Sequence, residues 1–168
     1  KRLPESISDY LCAECGGREK LFSTLKFCAL VHDIGKLTIV FQSRIYDAVD
    51  FSPFAVCVEL PKSSSLVNAS DTPHALASEA ILLKLGCREG VASIAGAHHG
   101  RPSAWADARD QISGACTAVE NFYGKRGKYR QLFESLWKEW IDFSLECAGF
   151  SELSDLPDMA VPAQVVIS

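Results

Sequence analysis

A His-Asp pair at the end of an apolar helical stripe is the feature that most restricts what this chain can become. Leu21, Leu25 and Cys28 recur at spacings of four and three. His32 follows four residues later, so it lies on the same helical face and points toward the core. A lone histidine there would more often be a hydrogen-bonded core residue. Asp33 comes next, however, and a carboxylate near the core requires a partner, which a metal cation would supply for both side chains.

Three further histidines favour the metal interpretation. His74 opens a predicted helix, and His98 and His99 are adjacent near the end of another. Neighbouring residues on a helix lie about 100° apart, so both of these imidazoles can reach one ion or two neighbouring ions. Mixed imidazole and carboxylate ligands suit Mn, Fe, Co, Ni or Zn better than Mg or Ca. The sequence therefore predicts divalent transition metals, two being expected, held by His32, Asp33, His74, His98 and His99.

The chemistry expected at such a centre is attack of an activated water on a phosphodiester. Two ions about 3.5–4 Å apart would activate the water and stabilise the phosphate oxygens during in-line displacement. Asp33 could bridge the ions, and Lys36 could hold a phosphate oxygen beside them. These two residues are the candidate catalytic residues. The sequence contains no P-loop motif, which argues against ATP hydrolysis by this chain.

Composition restricts the remaining possibilities. The chain has 168 residues, which suits one domain with a substantial core. Its net charge of −4 argues against a generally basic surface, so contact with a polyanion requires a local patch or a metal. The sequence lacks an apolar run of about 18 residues, so we expect no membrane-spanning helix. The 7 cysteines do not suggest a disulfide framework, which favours a reducing, cytoplasmic location.

Apolar periodicity predicts mostly helices and one long irregular segment. We expect that segment, a loop, over residues 47–71, where prolines and serines interrupt the pattern. Alternation over residues 54–58 also allows a short strand there. Thr72 is the expected N-cap of a helix that begins with Pro73 and His74. The other predicted helices span residues 4–14, 18–34, 88–99, 103–121 and 128–148.

The helix predicted over residues 128–148 is the most periodic in the chain. Its expected core face includes Tyr129, Phe133, Trp137 and Trp140. Both tryptophans are therefore expected in the core rather than in a ligand site.

The segment before that helix, residues 123–130, is a predicted basic loop that contains two tyrosines. A solvated turn is the simplest interpretation of such a charge run. The alternative is a surface for a single nucleic-acid strand, with phosphates held by the cations and bases stacked on the tyrosines. Under this hypothesis the DNA-binding residues are Lys125, Arg126, Lys128 and Arg130.

Four motifs occur together in this chain: HDIGK at residues 32–36, Phe41-Gln42, His74 within PHALASEA, and GAHHG at residues 96–100. The combination resembles the HD nuclease domain of the CRISPR-associated type I nuclease-helicase, in the HD phosphohydrolase superfamily. The resemblance covers nearly the whole chain, and the order of elements suggests the I-C branch. That superfamily is all-α, so the resemblance implies a compact helical HD-domain bundle over residues 1–168.

The resemblance also implies a function. It implies a metal-dependent nuclease that degrades single-stranded DNA exposed by the crRNA-guided surveillance complex Cascade, with a helicase domain in the intact protein. By position, it implies that Asp33 bridges the metals and that Lys36 is the basic residue beside them. It also makes His32 a ligand, and assigns most of the other ligand positions to His74, His98 and His99.

Two ligands of the family pattern have no counterpart in this sequence. The pattern includes a further histidine on an upstream helix, whereas no histidine precedes His32 here. It also includes an aspartate on a late helix. Asp142 lies on a late predicted helix but in a different sequence context, so that role is not transferred to it. We therefore expect either a domain trimmed at both ends or a shortened relative with an incomplete ligand set.

Three functions follow from these observations. The first is a metal-dependent DNA nuclease of type I CRISPR interference. The second is a catalytically incomplete mimic that binds Cascade and blocks recruitment of the nuclease-helicase, as an anti-CRISPR decoy would. The third is an HD phosphohydrolase that acts on nucleotides, against which the basic loop argues mildly.

Overall fold

Helices form all the regular structure in the part of the chain that the computed structural model describes, which is residues 4–66, 69–99, 105–112 and 119–160. The all-α prediction is therefore confirmed. None of the described helices has both the length and the apolar character needed to cross a membrane. The α-helices are α1 (Glu5–Cys15), α2 (Arg18–Val31), α3 (Ile39–Val49), α4 (His74–Lys84), α5 (Glu89–Gly96), α6 (Trp105–Ile112), α7 (Val119–Tyr123) and α8 (Arg130–Ala148).

The core lies where α2 packs on α5 and α8, and where α4 packs on α5 and α6. Small residues of α5 such as Ala92 and Ala95 allow close approach, and both are buried. Large side chains fill the remaining space, among them the fully buried Phe27, Phe133 and Trp137. Full burial of an aliphatic or phenyl side chain stabilises a fold by about 1.5–3 kcal/mol, so this core anchors the helix ends described below.

Helix α2 ends at Val31, three residues before the predicted end. Asp33 has left the helical conformation, with φ −102° and ψ 11°, and a 3₁₀ turn follows at Ile34–Lys36. The reason is a side chain from another helix. The Ser78 hydroxyl lies 2.6 Å from the His32 carbonyl oxygen and 2.9 Å from the Gly35 amide nitrogen. It donates to the carbonyl and accepts from the amide, which replaces the hydrogen bonds that would have continued the helix.

Helix α4 begins at His74 without the predicted Thr72 cap. Pro73, with φ −65° and ψ 148°, occupies the N-cap position. The prediction is wrong because the Thr72 hydroxyl has other partners. It donates to Gln111 Oε1 at 3.0 Å and accepts from Asn121 Nδ2 at 2.9 Å. This buried polar network instead ties the start of α4 to α6 and α7.

The irregular segment after α3 contains three short 3₁₀ turns among its described residues. The strand allowed over residues 54–58 does not form. Pro53–Val56 is a 3₁₀ turn, because proline restricts φ to a helical value and the Ser52 hydroxyl accepts a hydrogen bond from the Phe54 amide at 3.2 Å. Within the region predicted as one helix over residues 103–121, the structure describes α6 and α7, while residues 113–118 lie outside the described part.

The two tryptophans of α8 differ in burial. Trp137 is fully buried, as predicted, whereas Trp140 is 40% exposed, so the core assignment of Trp140 is wrong. Trp140 lies three residues further on, at the edge of the apolar stripe. Its Nε1 donates a hydrogen bond to the Leu30 carbonyl oxygen at 2.9 Å, which holds the indole at the rim between α8 and α2. A satisfied N–H lets the ring remain in contact with solvent there.

Candidate metal centre

Three helix ends bring the four histidines and Asp33 together. His32 and Asp33 follow α2, His74 is the first residue of α4, and His98 and His99 follow α5. The His74 Nε2 atom lies 3.1 Å from the Nε2 atoms of both His98 and His99. Asp33 Oδ1 lies 3.4 Å from His74 Nε2 and 3.7 Å from His98 Nε2. Asp33 Oδ2 lies 3.2 Å from His32 Nε2. All five predicted ligands therefore face one region.

The spacing of the imidazoles fits a shared cation. The ligand nitrogens of His74, His98 and His99 all lie within 4.8 Å of one another. A divalent transition metal binds imidazole nitrogen at about 2.0–2.1 Å, which places neighbouring ligand nitrogens about 3.0–3.4 Å apart. The two separations of 3.1 Å fall in this range. When one nitrogen of such a pair carries a proton, the two imidazoles are hydrogen-bonded to each other. When neither does, their lone pairs repel, and a cation between them removes that repulsion.

Backbone carbonyls fix the tautomers of two of these histidines. His32 Nδ1 lies 2.8 Å from the Ala29 carbonyl oxygen, and His98 Nδ1 lies 2.7 Å from that of Ala95. A carbonyl only accepts, so each Nδ1 carries a proton. In the neutral ring Nε2 then presents its lone pair to the centre. Metal-binding histidines in proteins are commonly oriented by such a second hydrogen bond.

The electrostatics of the centre favour the forms that bind metal. Burial raises the pKa of Asp33, but the hydrogen bond from Lys36 at 2.7 Å and the nearby His32 outweigh it, so the pKa lies below its usual value. Burial lowers the pKa of His74, and the neighbouring histidines add to this, while Asp33 opposes it. At neutral pH the carboxylate is therefore ionised and the His74 imidazole neutral, as metal binding requires.

Gly35 sets how closely the turn after α2 approaches α4. A Cβ at this position would lie 2.0 Å from the His74 carbonyl oxygen and 2.7 Å from the Ser78 amide nitrogen. Both are backbone atoms, so no side-chain rotation could relieve the contact. The Ser78 hydroxyl also lies 2.9 Å from the His74 carbonyl oxygen. Ser78 thus joins the His32 turn to the first turn of α4, and Gly35 leaves the room for it.

The Phe41-Gln42 pair has a structural role that its sequence did not reveal. Gln42 Nε2 donates to the Lys36 carbonyl oxygen at 2.8 Å, and Gln42 Oε1 accepts from the Ser52 hydroxyl at 2.7 Å. The Phe41 ring meets the His74 ring edge-on, with centroids 5.5 Å apart. The Lys36 Nζ atom lies 5.8 Å from the Phe41 ring centroid. The pair therefore supports one ligand and the lysine next to the centre.

Ser78 and Gln42 lie within motifs that the sequence analysis quoted, but their supporting roles could not be predicted. A serine four residues after His74 carries a weak signal at most, because serines in helices usually bond to their own backbone. The carbonyls of Ala29 and Ala95 carry no sequence signal at all. Only the three-dimensional arrangement shows that they orient His32 and His98.

The basic loop between α7 and α8 is a separate feature. Lys125 and Arg126 are exposed, Lys128 pairs with Glu59 at 2.9 Å, and Arg130 pairs with Glu134 at 3.6 Å. Tyr123 is fully buried and donates to Glu134 Oε1 at 3.0 Å. The prediction that a base stacks on Tyr123 is therefore wrong. The DNA-binding role of the four cations remains a prediction.

A helical domain in which a His-Asp pair converges with histidines from two other helix ends defines an HD-type metal centre. The chain belongs to the family described as "Cas3, HD domain", which matches residues 1–168. One relative is the CRISPR-associated nuclease/helicase Cas3 of Streptococcus thermophilus, which is 30% identical over 156 residues. The matched region covers 85% of this chain but 16% of the relative, so the chain spans a small part of that protein. No solved structure matches the chain.

Proposed function

We propose that this chain is a metal-dependent nuclease domain that hydrolyses phosphodiester bonds of single-stranded DNA in type I CRISPR interference. The observation that carries the proposal is the convergence of Asp33 with the imidazoles of His74, His98 and His99, whose nitrogens lie at ligand spacing. His32 joins them through Asp33, with its Nε2 3.2 Å from Asp33 Oδ2. Family membership supports a nuclease, since the similar Streptococcus protein is named a nuclease/helicase. HD domains bind divalent metals, and this donor set suits that role.

His74, His98 and His99 would hold one ion, and Asp33 with His32 would extend the ligand set toward a second. Imidazole and carboxylate donors suit Mn, Ni, Co, Fe or Zn. When bound, such ions acidify a water molecule and offset the charge on phosphate oxygens. Ligand geometry is maintained by the Ala29 and Ala95 carbonyls and by the Ser78 hydroxyl, which act on the ligands rather than on the substrate.

Lys36 is the residue of this chain that we propose to contact the phosphate. Its side chain is 41% exposed and its ammonium lies 2.7 Å from Asp33 Oδ2. A phosphate oxygen that approaches the centre can therefore compete for one of its three N–H donors. The ion pair with Asp33 holds the ammonium near the centre, and Gln42 fixes the backbone from which the side chain extends.

The strand itself is proposed to follow the basic loop. Lys125, Arg126, Lys128 and Arg130 provide local positive charge on a chain whose net charge is −4, and cations hold a single strand through its phosphates.

We further propose that residues 1–168 form one part of a longer protein with a helicase domain. Cascade would supply the single strand. Free thiols at all six described cysteines support a cytoplasmic location.

The test is metal content measured together with cleavage. The chain is purified, bound metals are quantified, and single-stranded DNA is incubated with added Mn, Ni or Co. Wild type is expected to bind metal and to cut. Asp33→Ala should lower the cleavage rate by at least about 100-fold, because it removes the carboxylate next to three imidazoles. Asp142→Ala is the matched control, since Asp142 is an exposed carboxylate that pairs with Lys138 at 2.6 Å on α8.

The outcomes separate the three candidate functions. If Asp33→Ala cuts as fast as wild type, the metal-centre assignment is wrong. Hydrolysis of free nucleotides without cleavage of oligonucleotides would indicate a nucleotide phosphohydrolase instead. Metal binding without hydrolysis of either substrate would favour the non-enzymatic mimic that binds Cascade.

A further inference from the structure

Asp33 separates two different surfaces. One side of its carboxylate faces the histidines, with His74 Nε2 3.4 Å from Oδ1. Asp33 also lines a small pocket of about 160 Å³ on the surface between α2 and α8. The other residues that line this pocket are apolar, namely Leu30, Ile34, Leu37 and Trp140. A molecule that reaches the metal centre therefore has a recess directly beside it whose wall is apolar except for Asp33.

The indole of Trp140 is held as a fixed wall of that recess. Its N–H is satisfied by the Leu30 carbonyl oxygen at 2.9 Å, so the ring has no remaining polar group. The ring is 40% exposed, and Phe143, which is 49% exposed, lies next to it with ring centroids 5.7 Å apart. Single exposed aromatic residues are common on protein surfaces. Here two adjacent rings lie beside a pocket that contains a metal ligand.

The chemistry of a nucleotide matches this division. Its phosphate is charged and suits the metal centre with Lys36, whereas its base is planar, uncharged and suited to an aromatic wall. A nucleotide whose phosphate reaches Asp33 must place its own base, or that of its neighbour, within a few ångströms of this pocket. Stacking of a base on an aromatic side chain is tolerant of sequence, as a nuclease that degrades strands of any sequence requires.

We infer that Trp140 and the apolar pocket beside Asp33 bind the nucleobase next to the phosphodiester that is cleaved. The inference rests on the proposed nuclease function and adds a base-binding subsite to it. Trp140 is a positioning residue in this scheme, because it touches the base and not the reacting phosphate. The basic loop would hold the strand at a second place through its phosphates.

The experiment maps cleavage of a single-stranded oligonucleotide that carries one abasic nucleotide at a defined position. Wild type should cut the bond flanking the abasic nucleotide about 5- to 100-fold more slowly than the other bonds, which is the range expected for loss of one stacked base. Trp140→Ala should cut every bond of the intact oligonucleotide more slowly by a similar factor. It should also no longer distinguish the abasic position. Trp140→Phe should restore most of the discrimination, since an aromatic ring remains.

Phe22→Ala is the matched control. Phe22 is an exposed aromatic residue on α2, 58% accessible, which contacts Arg18. This variant should cut like wild type, abasic position included. Circular dichroism of each variant establishes that the fold is retained. The abasic scan of wild type needs no variant, so the test stands even if Trp140→Ala fails to fold.

Two different failures can be told apart. If wild type shows no metal-dependent cleavage of any oligonucleotide, the proposed nuclease function fails and the subsite falls with it. If wild type cuts well but treats the abasic position like any other, only the base-binding inference is overturned. Equal cleavage rates for folded Trp140→Ala and wild type would overturn the base-binding inference as well. They would indicate that the rings of Trp140 and Phe143 contact other protein surfaces rather than a base.

Discussion

The turn that carries the His-Asp pair and the basic loop before α8 are held in opposite ways. Around the turn, five backbone carbonyls accept hydrogen bonds from side chains: Leu30 from Trp140, His32 from Ser78, Gly35 from Thr38, Lys36 from Gln42 and Leu37 from Trp137. In the loop, Lys128 and Arg130 form ion pairs at the surface, where solvent screens the charges.

The difference fits what each region is proposed to bind. A transition metal requires its ligand atoms at fixed separations, so the backbone that carries them must be fixed as well. A polyanion requires only positive charge near its phosphates, and exposed side chains on a short loop provide that without fixed geometry. Substitutions should therefore have large effects on metal binding in the turn and small, salt-dependent effects in the loop.

The largest expected effect comes from Gly35→Ala. The new Cβ would lie 2.0 Å from the His74 carbonyl oxygen, so either the turn or the start of α4 must move. We expect the free energy of unfolding to fall by more than about 3 kcal/mol, at the upper end of the range for overpacking. Metal binding should be lost with it. Urea unfolding and metal content of the purified variant measure both.

Gly127→Ala in the basic loop is the matched control. Gly127 has φ +71°, but the nearest atom to an added Cβ is Arg130 Nε at 3.8 Å, which is an ordinary contact. Only the left-handed conformation is penalised, at about 1 kcal/mol, and metal content should not change. If Gly35→Ala were as stable as Gly127→Ala, the turn after α2 would be no more tightly held than the basic loop.

An intermediate effect is expected from Ser78→Ala. The substitution leaves the buried Gly35 amide without its acceptor, which costs about 1–3 kcal/mol. It also removes the hydrogen bond to the His32 carbonyl, so metal affinity should fall about 10- to 100-fold, as it does when groups that orient ligands are removed. Calorimetric titration with Mn measures the affinity.

Ser144→Ala controls for loss of a buried serine. Its hydroxyl is fully buried and donates to the Trp140 carbonyl oxygen at 2.7 Å within α8, four residues back. This hydrogen bond connects α8 to no other helix. The free energy of unfolding of the variant should therefore fall by less than about 1 kcal/mol, and its metal affinity should equal that of wild type. Equal losses of affinity in both serine variants would show that Ser78 acts through general packing alone.

Local patterns in the sequence predicted most of the helices because apolar spacing within one helix encodes its buried face. The stripe that ends at His32 is confirmed in part: Leu21 and Cys28 are buried, whereas Leu25 lies at the edge of that face and the His32 side chain is 41% exposed. The end of α2 could not be predicted in this way. It depends on Ser78, a residue on another helix, which binds the backbone of both His32 and Gly35.

Two of the errors, at Thr72 and Trp140, have the same physical origin. Thr72 is a residue type that is preferred at the N-cap, but its hydroxyl forms hydrogen bonds with Gln111 and Asn121 from later helices. Trp140 has the spacing of a core residue, but the Leu30 carbonyl holds its indole at the rim. In each case a hydrogen bond to a residue distant in sequence overrides a local preference. Periodicity therefore predicts which residues form helices better than it predicts which atoms meet.

The smallest expected effect concerns Arg126 in the basic loop. Arg126 has φ +57°, a left-handed conformation that costs a residue with a side chain about 1–2 kcal/mol, and its amide donates to Glu120 Oε1 at 3.1 Å. Arg126→Gly removes this cost, but glycine also loses more entropy on folding, so stability should rise by at most about 1 kcal/mol. Affinity for single-stranded DNA should fall about two- to threefold, with a shallower salt dependence, because one cation near the phosphates is lost.

Fluorescence anisotropy at several salt concentrations measures that affinity, and Lys125→Ala is the matched control. Lys125 is exposed, so this variant should lose a similar part of the affinity and of the salt dependence without becoming more stable. Metal content should equal that of wild type in both variants, since neither side chain is among the five predicted ligands. A loss of metal from Arg126→Gly would mean that the loop also holds the metal-centre turn in place, and the separation between a fixed region and an adaptable one would no longer stand.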